Sequence, residues 1–252
     1  LREELARQIG QQLGEAGGVI VFDPSAFPKS GNNSVGVKRQ WCGRLGKIEN
    51  CQVGVYIGYA SSREHALVDM RLYLPLEWAK DWKRRKQAGI PKEIRYRTRH
   101  ELCLEMLAEH GEQLPHQWIT GDDEMGRPYW FRQRLDLLGE QYLLAVPCNT
   151  TVRDLEVDPP AHSGRGRYPK RPWIRVDRLT ATLEEDDWIR IDVRDGSKGP
   201  IIIEAVKRRV MSRTDKRQEG HEETFVAIRY RDREDQRVVK MDYYLSNANH
   251  DT

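Results

Sequence analysis

Two short apolar runs, each ending in an aspartate, constrain this chain more than any other feature: Val19-Ile20-Val21-Phe22-Asp23 and Trp118-Ile119-Thr120-Gly121-Asp122. A continuous apolar run of this length reads as a strand buried on both faces. Each aspartate is then expected at a strand's carboxyl end, where open α/β sheets place their ligands. Two such ends side by side would make an oxygen-rich site suited to Mg²⁺. Pattern alone leaves the plainer alternative open, since an aspartate closing a strand is also a common turn former or helix cap.

The segments around these runs predict a mixed sheet with helices on its faces. Residues 1–16 carry Leu5, Ile9, Leu13 and Ala16 at helical spacing and end at Gly17-Gly18. Pro24 to Ser34 reads as a loop from its proline, glycine and asparagine content. Gln40 to Gly46 begins another strand. Val53, Val55, Ile57 and Tyr59 alternate with leaner residues, and Val68, Met70, Leu72 and Leu74 do the same, which predicts an antiparallel hairpin between Cys51 and Leu74. Thr98 and Glu101 form a capping-box pattern ahead of a helix that buries Leu102, Cys103, Met106 and Leu107. Pro128 opens a further helix with the stripe Phe131, Leu135 and Leu138, closed by Gly139, and Tyr142 to Val146 is another apolar strand.

The character changes near Val152. Pro159-Pro160 and Gly164-Arg165-Gly166-Arg167 make a basic connector, and the patterns beyond it are strand-like: Trp173–Val176, Trp188–Val193, Ile201–Val206, Thr224–Tyr230 and Val238–Leu245, with a turn at Asp195-Gly196. The expected division is therefore a first part over 1–152 and a β-rich insertion over 153–252.

Charge bears on the partner. The chain has 42 Lys+Arg against 39 Asp+Glu, a net +3, so any nucleic-acid surface must come from local clustering. Lys29, Lys38 and Arg39 form one cluster, and Arg95 and Arg97 flank Tyr96. Arg165, Arg167, Lys170 and Arg171 run beside Tyr168 and Trp173. Basic residues interleaved with aromatics suit phosphate contact plus base stacking, although such clusters are also ordinary solvated faces. Asp123 and Glu124 are open to two readings, ligands or N-terminal charges of a helix, and Asp69 can face solvent or a site.

Several classes are excluded. There is no run of about 18 apolar residues, hence no membrane-spanning helix. The seven histidines, His65 to His250, show no paired metal-binding spacing. A phosphate-binding GxxxxGK[ST] loop and a GxSxG elbow are both missing. Cys42, Cys51, Cys103 and Cys148 are scattered and predict buried free thiols in a reducing cytosol. The start at Leu1, without Met, reads as the interior of a longer chain.

A family resemblance joins these features. Asp23-Pro24-Ser25-Ala26-Phe27-Pro28-Lys29-Ser30-Gly31, Ser34-Val35-Gly36-Val37, Arg39-Gln40-Trp41-Cys42-Gly43, Leu45-Gly46-Lys47 and Asn50-Cys51-Gln52-Val53 resemble the first catalytic block of bacterial insertion-sequence transposases. These belong to the DDE superfamily, in its branch with a β-strand insertion. Arg71-Leu72-Tyr73-Leu74-Pro75, Glu77-Trp78, Trp118 to Gly126 and Tyr142 to Pro147 continue the likeness in order, from about residue 5 to 150.

The resemblance implies a ribonuclease H-like fold, with Asp23 and Asp122 as two catalytic, metal-binding acids. A glutamate would complete a two-metal Mg²⁺ site, with Mn²⁺ as a substitute. It implies hydrolysis and strand transfer on double-stranded DNA at transposon ends, and a homodimer on paired ends in a bacterial, nucleoid-associated setting. Two departures stand beside the aspartates: Pro24 where an acid is common, and Met125 where tyrosine is usual. None of Glu204, Glu219, Glu222, Glu223 or Glu234 sits in a Y-x-x-R-x-x-x-E pattern, so the third acid is expected beyond Thr252. A non-catalytic DNA-binding derivative of a transposase is the competing expectation.

Overall fold

The computed structural model of the chain describes residues 1–196, 199–232 and 234–249, leaving His250 and Thr252 outside those ranges. It is mixed α/β and forms two compact units, Leu1–Ile119 and Thr120–Thr252.

The first unit runs α1 (Arg2–Leu13), β1 (Val19–Pro28), β2 (Lys38–Cys42), β3 (Lys47–Ala60), β4 (His65–Leu72), α2 (Leu76–Lys80), α3 (Trp82–Gln87) and α4 (Arg99–His110); β5 (Trp118–Gly121) spans the boundary between the units. Strand β3 is its spine. Gly54–Ala60 pairs antiparallel with both β1 and β4, which must therefore take opposite edges, while β2 pairs with Lys47–Cys51. The predicted alternation holds along β3: Val53, Val55, Ile57 and Tyr59 are all buried. Helix α4 carries the full capping box, and Leu102, Cys103, Met106 and Leu107 are its buried face together with His110.

Helix α1 buries a different stripe from the one its large residues predict. Ala6 and Ile9 are buried, whereas Leu5 and Ala16 are exposed. The cause is backbone approach: a Cβ at Gly10 would stand 1.8 Å from the Gln113 carbonyl oxygen. The helix thus docks through small residues, which a count of large apolar side chains overlooks.

Strand β4 departs from its predicted alternation for a clear reason. Ile57 stands opposite Asp69 and Gly58 opposite Leu67, so Val68 is an extra residue on β4. A bulge of this kind shifts the two-residue period by one and re-aims the side chains beyond it. Val68 stays buried, Asp69 turns inward, and Met70 and Leu72 end up exposed.

The second unit contains α5 (Asp123–Gly126), α6 (Tyr129–Leu137), β6 (Tyr142–Ala145), β7 (Thr151–Asp154), β8 (Ile174–Arg175), α7 (Val176–Thr180), β9 (Ile189–Gly196), β10 (Gly199–Arg213), β11 (Glu219–Arg231) and β12 (Val238–Ser246). Its strands follow the order β6-β12-β11-β10-β7-β8, with β9 also paired to β10. Every pairing described among them is antiparallel. Val206, Val210, Phe225, Ala227 and Leu245 project into one core, where they meet Val146, Val152, Val176 and Leu179. Leu138, predicted as part of the α6 stripe, caps that helix and is exposed instead.

Three of the four thiols are buried as expected; Cys148 is exposed. No described helix is long and apolar enough to cross a membrane.

Candidate functional site

Asp23 lies within β1 rather than at its end. Ile20 and Phe22 fill the buried face, and Asp23 falls on the alternate face, where it is exposed. The strand continues through Pro24 to Pro28, with Asp23 opposite Tyr56 and Pro24 opposite Val55. The predicted loop therefore begins only after Pro28. Proline is tolerated where the ladder needs no N–H from it, so its presence here does not stop the strand. Ser25 lies on the same face two residues on, and its hydroxyl donates to Asp23 Oδ2 at 2.7 Å.

Asp122 follows β5 and is the N-cap of α5. Its Oδ1 accepts from the N–H groups of Glu124 and Met125, each at 3.1 Å. The plainer reading of this aspartate is thus realised, and the side chain remains exposed, which keeps the other reading open. A four-residue helix cannot sustain itself. This one is held by Met125, which is fully buried, and by Gly126, where a Cβ would stand 1.9 Å from the Ala145 carbonyl oxygen. Asp123 is exposed and lies 3.8 Å from Arg127, and Glu124 is half-buried.

Behind this turn lies a polar core that the periodic patterns did not reveal. Arg132 of α6 donates through Nε and Nη2 to Glu223 at 2.8 and 3.1 Å, and through Nη1 to the Gly126 carbonyl at 2.6 Å. The Tyr142 hydroxyl donates to Glu223 Oε1 at 2.6 Å. All three side chains are buried. Burial alone would raise the Glu223 carboxyl, but the Arg132 guanidinium more than offsets it and holds the group below its usual range. Burial, with the Glu223 charge added, pushes the Tyr142 hydroxyl far up. One sequence signal was available: Glu223 shares the inward register of Phe225 and Ala227. An acid at a core position requires a partner.

Three of the other acids considered for a third ligand are engaged as well. Glu204 pairs with Arg229 and Arg231, Glu219 with Arg153 and Lys170, and Glu222 with Arg209. Glu234 is exposed, in the connection before β12.

In the first unit, Asp69, Glu109 and His110 bring ligand-type atoms within 4.8 Å of one another. Asp69 Oδ2 lies 2.9 Å from Arg71 and 3.0 Å from His110 Nε2, Arg2 stands 3.6 Å from Oδ1, and Arg71 also pairs with Glu109. Two guanidinium groups balance two carboxylates, so the cluster is an ion network tying α4 to β4, with His110 Nδ1 buried and without a hydrogen-bond partner among the described residues. The bulge lets Asp69 share the inward face with Val68.

The predicted basic residues fall into two groups. Lys38 pairs with Glu77, Arg97 with Glu105, and Lys170 with Glu219, while Arg171 donates to the Val157 carbonyl. Lys29, Arg39, Arg95, Arg165 and Arg167 are exposed. Arg95 and Arg97 line a cavity of about 480 Å³ with Ile90, Ile94 and Leu102. Tyr168 is exposed and stacks on His162 at 4.2 Å, and the guanidinium groups of Arg153 and Arg213 lie 4.2 and 5.1 Å from the Trp173 ring centre.

Residues 1–200 match the family described as DDE superfamily endonuclease. Among curated proteins, none matches the chain.

Proposed function

We propose that this chain, which belongs to the DDE superfamily endonuclease family, is the catalytic portion of a DNA transposase. Members of this superfamily generally use divalent metals. The mixed α/β architecture is compatible with a ribonuclease H-like fold, and in this reading residues 1–152 form its first part and 153–252 a β-rich insertion. Asp23 and Asp122 are the first two acids of the site. The observation that carries the reading is the state of these carboxylates: each is exposed, and each is oriented by local hydrogen bonds, from Ser25 in one case and from the α5 amides in the other.

Exposed carboxylates are hard oxygen donors and fit Mg²⁺, with Mn²⁺ as a substitute. A bound pair of such ions would neutralise the phosphodiester and activate a water or a 3′-hydroxyl for in-line attack. What this chain's residues contribute is placement. Ser25 fixes the Asp23 rotamer, the Glu124 and Met125 amides fix Asp122, and no covalent link to the protein is required. Lys29, Arg39, Arg95, Arg165 and Arg167 are exposed where duplex phosphates can approach, which gives binding a steep salt dependence. A glutamate completes the acid set. The assembly proposed is a homodimer on paired transposon ends, in a bacterial cytoplasm at the nucleoid.

The competing reading is a non-catalytic DNA-binding derivative, motivated by Pro24 and Met125. Met125 is fully buried, so at that position the departure from the family pattern concerns packing. One experiment separates the two readings. Plasmid nicking in Mg²⁺ or Mn²⁺ is expected from the full-length protein and is lost in Asp23→Asn and Asp122→Asn. Salt-sensitive DNA binding with no nicking supports the derivative, and undiminished nicking in both variants removes these aspartates from the site.

A further inference from the structure

The geometry points to Arg132 as a positioning residue for Asp122, acting through the backbone of α5. This rests on the reading of Asp122 as a metal ligand.

The chain of contacts is short and continuous. Asp122 Oδ1 is held by the amides of Glu124 and Met125, at the start of a four-residue helix. The other end of that helix is held by Arg132, whose Nη1 reaches the Gly126 carbonyl at 2.6 Å and the Arg127 carbonyl at 3.4 Å. Arg132 is itself fixed by both oxygens of Glu223, and Glu223 by the Tyr142 hydroxyl. A guanidinium offers five donors in a rigid planar fork. Here one side of the fork grips a carboxylate on β11 while the other grips the turn that carries Asp122. A lysine has no second planar edge and cannot hold both.

Stability alone does not account for this arrangement. A buried ion pair commonly does no better than apolar side chains of the same volume. Direction is what the pair supplies, and a ligand carboxylate must be held to within about 0.5 Å. Gly126 adds to the same end: the absence of a side chain lets the turn close on the Ala145 carbonyl. Two further contacts hold α6 itself, Asp215 at its first amides and His221 at the Tyr129 hydroxyl. The β10–β11 hairpin therefore braces the helix that braces the second acid.

The test uses Arg132→Lys and Tyr142→Phe in the full chain, with Asp122→Asn as reference. Three quantities are measured: Mn²⁺ binding by calorimetry without DNA, amide hydrogen exchange at Glu124 and Met125, and thermal unfolding. Loss of groups that orient a metal ligand typically weakens metal affinity by about 10-fold or more. The expected result is Mn²⁺ binding weakened to that extent in Arg132→Lys, less so in Tyr142→Phe, with faster exchange at both amides in each. If Arg132→Lys fails to fold, Tyr142→Phe, which removes one hydroxyl, carries the test. Unchanged Mn²⁺ affinity together with unchanged exchange in a folded variant overturns the proposal. Should Asp122→Asn leave Mn²⁺ binding intact, the metal reading falls instead, and the two exchange rates alone decide whether Arg132 holds the turn.

Discussion

Asp215 caps a helix it does not belong to: its two carboxylate oxygens accept from the backbone N–H groups of Tyr129 and Trp130, each at 3.0 Å. Pro128 occupies the N-cap position of α6 and has no side-chain acceptor to offer, so the acid comes from the connection between β10 and β11. Removing a capping side chain costs about 1 kcal/mol, up to about 2. Asp215→Ala is expected to lower the unfolding free energy by that amount in urea titrations, and Asp215→Asn by less. Equal stability of all three proteins would mean that water replaces the cap at no cost.

The Glu223–Arg132 pair sets an acid limb on stability. Arg132 holds the Glu223 carboxyl below its usual range despite burial, so the folded state binds this proton less readily than the unfolded chain, where a glutamate titrates near about 4.3. The contribution is therefore fully present above the unfolded value and is lost as pH falls through the lower folded one. Unfolding free energy measured from pH 7 down to pH 3 should drop more steeply in the wild type than in Glu223→Gln. Parallel curves would show that the pair does not couple to folding.

Strand β4 shows what periodicity can and cannot deliver. The hairpin of β3 and β4 follows from two alternating runs, and the α4 cap follows from Thr98 and Glu101, because both depend on neighbours close in sequence. That Val68 and Asp69 are both buried depends on one inserted residue, and no local signal distinguishes a bulge from continued alternation. The partnership of Arg132 and Glu223, which are 91 residues apart, is a different case: the register marks Glu223 as inward, but only the tertiary fold shows which residue neutralises it. At Asp23, proline content suggested a loop where the strand in fact continues. Both aspartates were expected at strand ends, which is found for Asp122 after β5 but not for Asp23 inside β1, and the groups that orient them were not legible.

Replacing Asp69 by asparagine should leave Arg71 and His110 without the carboxylate charge they share. Removing one partner of a buried ion pair costs about 3–5 kcal/mol, with the lower end expected because Arg71 keeps Glu109. The truncation Val68→Ala keeps the register and removes only two methyl groups, at a cost of about 1–2 kcal/mol, since one buried CH₂ is worth about 0.8 kcal/mol before cavity effects. Chemical denaturation of both variants separates the roles. An Asp69→Asn cost no larger than that of the truncation would show that the network contributes no more than the space Val68 fills.

Asp122 is the residue at which capping and chemistry can be pulled apart. Asparagine is as good an N-cap as aspartate, whereas alanine forfeits the cap. Asp122→Asn retains an oxygen for the Glu124 and Met125 amides but loses the charge that a divalent cation requires. Its thermal unfolding should match the wild type within about 0.5 kcal/mol, the usual range for a substitution away from packed features, while metal-dependent nicking disappears. Asp122→Ala should lose both, with about 1 kcal/mol of stability gone as well. If Asn and Ala are equally stable, the two 3.1 Å contacts do not hold the turn. If Asp122→Asn still nicks DNA, this carboxylate caps the helix and nothing more.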